Sequence, residues 1–259
     1  MMVEMAGIWG KVIGGVAGFA LLGGPLGALI GAAAGHYVDK KREAEGLDGR
    51  APSGPEELTA SKQAAFTIAM IALGAKMAKA DGQVTRDEVD AFKEIFSIPE
   101  GEMKSVGKLF DQAKRSSEGY EVYAKQVGDM FRGNPAVLEE LLAGLFHIAK
   151  ADGVVHPAEI TFLRGVARVF GFTDTQFEQM RETRLGSMPD VKSDPYVILG
   201  VSSDISDTDL KTEYRKLVRE HHPDTLMAQG LPQEFIDLAH EKMAAINAAY
   251  DEITRRRGL

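Results

Sequence analysis

Leu210-Lys211-Thr212-Glu213-Tyr214-Arg215-Lys216-Leu217-Val218-Arg219-Glu220-His221-His222-Pro223-Asp224 is a basic amphipathic run closed by a proline. After Asp207, which suits a helix start, Leu210, Tyr214, Leu217 and Val218 follow at helical spacing and predict one apolar stripe. Lys211, Arg215, Lys216 and Arg219 fall mostly on the outward side. Pro223 has no backbone N–H and disfavours helical geometry at His222, so the helix is expected to end there and present His222 and Asp224 on a loop. A second run from Pro232 to Thr254 has Phe235, Leu238, Ala239, Met243, Ile246, Ala249, Tyr250 and Ile253 at helical spacing. The two runs predict an antiparallel helical hairpin with the tripeptide at its tip.

Three further segments give the tripeptide its meaning. Asp194-Pro195-Tyr196-Val197-Ile198-Leu199-Gly200-Val201 resembles the short first helix of a J domain, with Tyr196 and Leu199 turned inward. Lys211 to Leu217 resembles its second helix, and Ile246-Asn247-Ala248-Ala249-Tyr250 its third. The resemblance, over about Asp194 to Thr254 within a J domain drawn at 194–259, implies docking onto a DnaK-type chaperone and stimulation of that partner's ATPase. It carries the docking surface to Lys211, Tyr214, Arg215, Lys216, His222, Pro223 and Asp224. Asp224 is then expected to meet an arginine of the chaperone ATPase domain, and His222 to order the loop. Thr225 departs from the family, where a basic residue often follows the tripeptide. Neither a fourth short helix nor a glycine-phenylalanine linker, zinc module or client-binding domain is expected before Leu259.

At the other end, Val12 to Gly35 is an uncharged stretch of 24 residues. At about 1.5 Å per residue it would reach roughly 36 Å, enough for a hydrocarbon core of about 30 Å. Residues 1–42 therefore read as a membrane anchor with a transmembrane helix over about 12–35. Lys40, Lys41 and Arg42 follow it, against Lys11 and the amino terminus before it, which predicts a single-pass protein with its C-terminal domains cytoplasmic. Gly23, Gly27, Gly31 and Gly35 are each four apart, the spacing that lets two helix backbones meet in lipid, so the span is expected to form a homodimer. A turn at Gly23-Gly24-Pro25 is the alternative. A cleaved signal peptide fits less well, because its basic residues should precede the apolar region.

A formal net charge of -8 argues against nucleic acid as a partner. Zero cysteines exclude disulfides and thiolate zinc sites, as suits a reducing compartment. Residues 43–57, rich in charge, glycine and proline, read as a linker, as do residues 186–193.

The intervening 58–185 contains a repeat. Met77-Ala78-Lys79-Ala80-Asp81-Gly82-Gln83-Val84 returns as Ile148-Ala149-Lys150-Ala151-Asp152-Gly153-Val154-Val155, and Glu88 has its counterpart in Glu159. Each copy reads as helix, Asp-Gly turn, helix, with Thr85 and Glu88 spaced as a capping box and Pro157 suited to a first helical position. Further helices are expected over 103–109, 120–131 and 137–148. The paired Asp-Gly elements resemble the TerB domain, an all-helical fold. A calcium loop fails on spacing, since Met77 and Lys79 would occupy its first ligand positions. A metal site shared between Asp81, Glu88, Asp152 and Glu159, joined by His147 or His156, is the sharper alternative to a turn and a cap.

Nothing in the chain frames a nucleophile with a base, a P-loop or a dinucleotide fingerprint, so neither an enzyme nor a cofactor is expected. The fold class is all-α. The three-part order resembles the membrane-anchored DnaJ-like co-chaperones of Gram-negative bacteria. That resemblance implies a regulator acting at the inner membrane, beside lipid, on an unidentified client, with envelope-stress signalling and capsule synthesis as possible outputs. The alternative is a TerB-centred metal or stress sensor with a secondary J domain.

Overall fold

The computed structural model describes residues 24–27, 54–80, 86–96, 98, 103–115, 119–185 and 194–259, and these contain helices and no strand. The middle of the chain forms α1 Pro55–Met77, α2 Arg86–Phe96, α3 Met103–Ala113, α4 Tyr120–Met130, α5 Pro135–Ala149, α6 Pro157–Val169 and α7 Asp174–Leu185. The C-terminal part forms α8 Pro195–Leu199, α9 Asp207–His221, α10 Pro223–Gln229, a 3-10 turn Gln233–Phe235 and α11 Ile236–Arg257.

Helix α1 is apolar on every face because it is central: α3, α4 and α5 all pack on it. Ala65, Phe66, Ile68, Ala69, Met70, Ile71, Ala72 and Leu73 are completely buried. It starts three residues earlier than the sequence suggests, with Gly54 extended before Pro55 at the first helical position. Amphipathic helices close around it, bringing in Phe92, Phe131, Leu141, Phe146, Leu163 and Phe177.

The Asp-Gly turns are used as turns where the structure describes them. Asp152 Oδ1 accepts the Val154 N–H at 2.9 Å, and Gly153 is left-handed at φ 83°. His156 then caps α6, Pro157 is its first residue, and Glu159 reaches back to accept the His156 N–H at 2.8 Å. Asp81 and Thr85 of the first copy lie outside the described residues.

A second, smaller core joins α8, α9 and the C-terminal half of α11 through Leu199, Leu210, Ile246, Ala249 and Ile253. Asp194 caps α8 by accepting the Tyr196 N–H at 3.0 Å, and Ser206 caps α9 by accepting the Asp209 N–H at 3.1 Å. Tyr214 stacks on Tyr250 with ring centroids 3.9 Å apart. Arg257 closes the unit, donating to Tyr196 Oη at 3.0 Å, the Ile205 carbonyl at 2.7 Å and Asp207 at 2.8 Å.

The boundary near residue 190 divides the chain without dividing the packing. Leu226 of α10, Leu231, Phe235 and the α11 residues Ile236 and Ala239 belong to the large core. Phe235 lies edge-on to Phe66 at 4.7 Å and to Phe96 at 5.7 Å. Gly144 of α5 makes room for it, since a Cβ there would lie 2.8 Å from both Phe235 and Met70. At Gly230, with φ 111°, a Cβ would meet that of Lys62 at 2.6 Å, so the return from α10 is pressed directly onto α1. One helical period over Pro232 to Thr254 thus serves two cores in succession.

Of the anchor, only a helical turn at 24–27 is described. Gly24 has φ 78°, a left-handed conformation. Leu26 is buried and its N–H donates to Gln126 Oε1 at 2.9 Å, a contact that bilayer insertion of this segment would release. Gly23, Gly31 and Gly35 lie outside the described residues.

Candidate chaperone-docking site

The exposed face of α9 carries Lys211, Arg215, Lys216 and Arg219, as the stripe of Leu210, Leu217 and Val218 on the opposite side requires. Lys216 spans 3.3 Å to Glu213, leaving the face basic on balance. Tyr214 contributes less surface than expected. It is half-buried, stacked on Tyr250, and donates its hydroxyl to Asn247 Oδ1 at 3.1 Å, so it braces α9 against α11.

The tripeptide is more ordered than a loop. His222 alone leaves helical geometry, at φ -63° and ψ 129°, as the residue before a proline should. Pro223 is already the first residue of α10, a short helix that sequence reasoning did not anticipate; the residue after the break is a favourable N1, and Gly230 closes the helix. His222 Nδ1 accepts the Asp224 N–H at 3.2 Å, so the imidazole caps α10. Pro223 is buried, whereas the Asp224 carboxylate is 89% exposed at the head of α10 and the His222 ring is half-exposed. The arrangement offers an exposed carboxylate beside a basic helix face. Thr225 is half-buried on α10.

Behind the corner lies a group that sequence reasoning missed. Glu139 on α5 receives Lys242 Nζ of α11 on Oε1 at 2.5 Å, and His221 Nε2 lies 3.7 Å from its Oε2. Burial acts to raise the Glu139 carboxyl, but Lys242, His221 and Arg184 outweigh it and hold the group below the ordinary carboxylate value. His221 is 4% exposed, and burial pushes its imidazole below the usual value despite the pull of Glu139. Beside them Glu140 is completely buried, 3.6 Å from Arg184 of α7, which also reaches Glu241 at 3.6 Å. Burial pushes the Glu140 carboxyl up to about 7, with Arg184 opposing. The available sequence signal was a pair of acids inside the apolar run Val137-Leu138-Glu139-Glu140-Leu141-Leu142, which a helix period alone marks only as a buried position.

The four carboxylates weighed for metal divide differently. Asp152 closes a turn and Glu159 caps α6, while Asp81 lies outside the described residues and Glu88 is placed only by its backbone on α2. His147 and His156 are exposed. Among the described residues no three His, Cys, Asp or Glu side chains gather where they could hold a metal ion.

Three protein families match successive parts of the chain. The family described as Co-chaperone DjlA transmembrane domain matches residues 2–51, Tellurite resistance protein TerB matches 67–182, and DnaJ domain matches 194–257. The Co-chaperone protein DjlA of Photobacterium profundum is 32% identical over 97% of this chain and 99% of its own length. That of Vibrio cholerae is 33% identical over the same shares, and that of Coxiella burnetii 29% identical over 96% of this chain and 98% of its own length. No solved structure matches the chain. The anchor, TerB and J-domain matches in this order, with near full-length relatives, identify a membrane-anchored J-domain co-chaperone whose partner is a DnaK-type chaperone: the chain belongs to the DjlA family.

Proposed function

We propose that the protein regulates the ATPase of its DnaK-type partner and has no catalytic activity of its own, with Lys211, Arg215 and Lys216 guiding encounter and His222 and Asp224 acting as the trigger. The observation that carries this is the exposed Asp224 carboxylate on a capped corner directly beside the basic face of α9. Positive side chains facing an acidic chaperone surface act mainly on association rate. The trigger then favours the partner's hydrolysis-competent state, which only differential contact with that state can achieve. The anchor confines the activity to clients at the bacterial inner membrane. Single-pass insertion with the C-terminal domains in the cytoplasm follows the distribution of Lys40, Lys41 and Arg42, and a homodimer through Gly23, Gly27, Gly31 and Gly35 follows their spacing. Regulation of envelope-stress signalling or capsule synthesis is the physiological output consistent with the family resemblance.

The test is single-turnover ATP hydrolysis by the DnaK partner with the full chain in lipid nanodiscs. Asp224→Asn is expected to abolish stimulation with the melting temperature unchanged, because the carboxylate is exposed. Stimulation retained by that variant would remove the proposed trigger.

A further inference from the structure

The corner carrying His222-Pro223-Asp224 has two arms, and the J core holds only one of them. Leu210 seats α9 on Leu199, Ile246, Ala249 and Ile253, and no residue of α10 enters that cluster. Leu226 of α10, followed by Leu231 and Phe235, is packed into the TerB domain instead. Helix α10 also packs on α9 and α11, but its buried apolar side chain is seated outside the J domain's smaller core. The end of α9 is tied to the same domain. His221, directly before the tripeptide, lies against Glu139 Oε2, while Lys242 from α11 holds Glu139 Oε1.

We infer that Glu139 of the TerB domain, acting through His221 and Lys242, is a positioning residue for the trigger, and that the TerB domain thereby forms part of the chaperone-activating device. This rests on the activating reading of His222 and Asp224. Glu139 receives one cation from α11 and faces the imidazole that ends α9, so it fixes the junction of the two helices from below. Losing its charge removes the carboxylate that Lys242 pairs with directly, in a site where that ammonium is mostly shielded from water, and breaking one half of such a pair is far more disruptive than removing both. Arg184, which carries Glu140 and Glu241 on either side, flanks the joint without contacting the corner itself. The predicted defect is accordingly local to α10 and the end of α9.

Two readouts on the full chain in nanodiscs test this, with Glu139→Gln compared against the parent and against Glu139→Gln combined with Lys242→Met. Backbone hydrogen exchange is expected to quicken several-fold across 224–229 in the single variant and to stay at the parent rate across 196–200. Maximal stimulation of the partner's ATPase should fall roughly fivefold with the half-saturating concentration changed by less than about twofold, since the basic face is untouched. The double variant should recover both. Parent-like exchange over 224–229, or full maximal stimulation by the single variant, overturns the assignment. If the single variant loosens the whole chain, the double variant decides: recovered stimulation supports the pair as the positioning element, and continued loss in a folded double variant refutes it. A parent chain that gives no stimulation overturns the underlying reading instead, with the exchange comparison still deciding whether Glu139 holds the corner.

Discussion

The two cores that meet near His222 differ in kind. The TerB core is deep and aromatic, built around Phe66, Phe96, Phe131, Phe146, Phe177 and Phe235, whereas the J core rests on Leu199, Leu210, Ile246, Ala249 and Ile253 plus the Tyr214–Tyr250 stack. The smaller core compensates with polar closures such as the Arg257 clasp and the Ser206 cap. Helix α11 runs from one core into the other, with Ala239 in the first and Ile246 in the second. The basic face of α9 is thus mounted on the smaller core, and α10 and α11 seat that unit on the larger one. Family boundaries follow sequence, while the mechanical boundary falls within α11.

Phe235→Ala attacks the seat. It removes a fully buried ring flanked by Phe66 and Phe96, and truncations of this type cost about 3–5 kcal/mol. Thermal unfolding should show a large drop in melting temperature, even though residue 235 lies within the J-domain match. A shift as small as that of a surface substitution would show the two units to be independent.

The joint between them should respond to pH. Glu140, with a carboxyl raised from 4.5 to about 7, keeps in the folded protein a proton that the unfolded chain releases, so its contribution favours folding at acid pH and is lost as pH rises through about 7. His221 works in the opposite sense: its lowered value means that the unfolded chain protonates first, so stability falls as pH drops below about 6.5. Glu139, held low by Lys242, His221 and Arg184, likewise contributes above its unfolded value and loses that contribution in acid. Glu140→Gln isolates the first effect, leaving Arg184, Glu241, Glu139, His221 and Lys242 in place. Chemical denaturation should find the variant more stable than the parent at pH 8, by on the order of 2 kcal/mol, and nearly equal to it at pH 5. An equal difference at both pH values would exclude Glu140 as the titrating group.

Much of this was legible beforehand. Helix content, the apolar stripe of α9, the exposed basic side and the Pro157 and Glu159 start of α6 all follow from periodicity and capping, which are local. What escaped is what depends on long-range partners. Phe235 and Ile246 share one helical period, and nothing in that period says that they face different cores. The α10 helix was hidden because a proline that stops one helix is equally a good first residue for the next. Tyr214 belongs to the apolar stripe, but its partners Tyr250 and Asn247, more than thirty residues away, are not visible in that stripe. His221 was overshadowed by its neighbour, although it is the buried one of the pair.

The smallest effect concerns the smaller unit alone. Ser206→Ala removes the N-cap of α9 and should cost about 1 kcal/mol, read as faster hydrogen exchange in the first turn of that helix with the TerB core unaffected. Equal loosening of both cores would mean that the unit transmits strain more stiffly than its small apolar content suggests.

Helix α1 has one more implication, for how such a chain is made. Leu58–Met77 is the one described helix whose length and composition would suit a bilayer, and it follows shortly after the segment matched by the transmembrane-domain family. Outside the closed TerB core that helix would expose its apolar length. Lys62 and Lys76 weigh against its insertion, since a basic residue at a span's centre costs about 3 kcal/mol and less toward its ends. Completing the core buries this helix, so folding of the TerB domain is also what conceals an apolar segment of bilayer length.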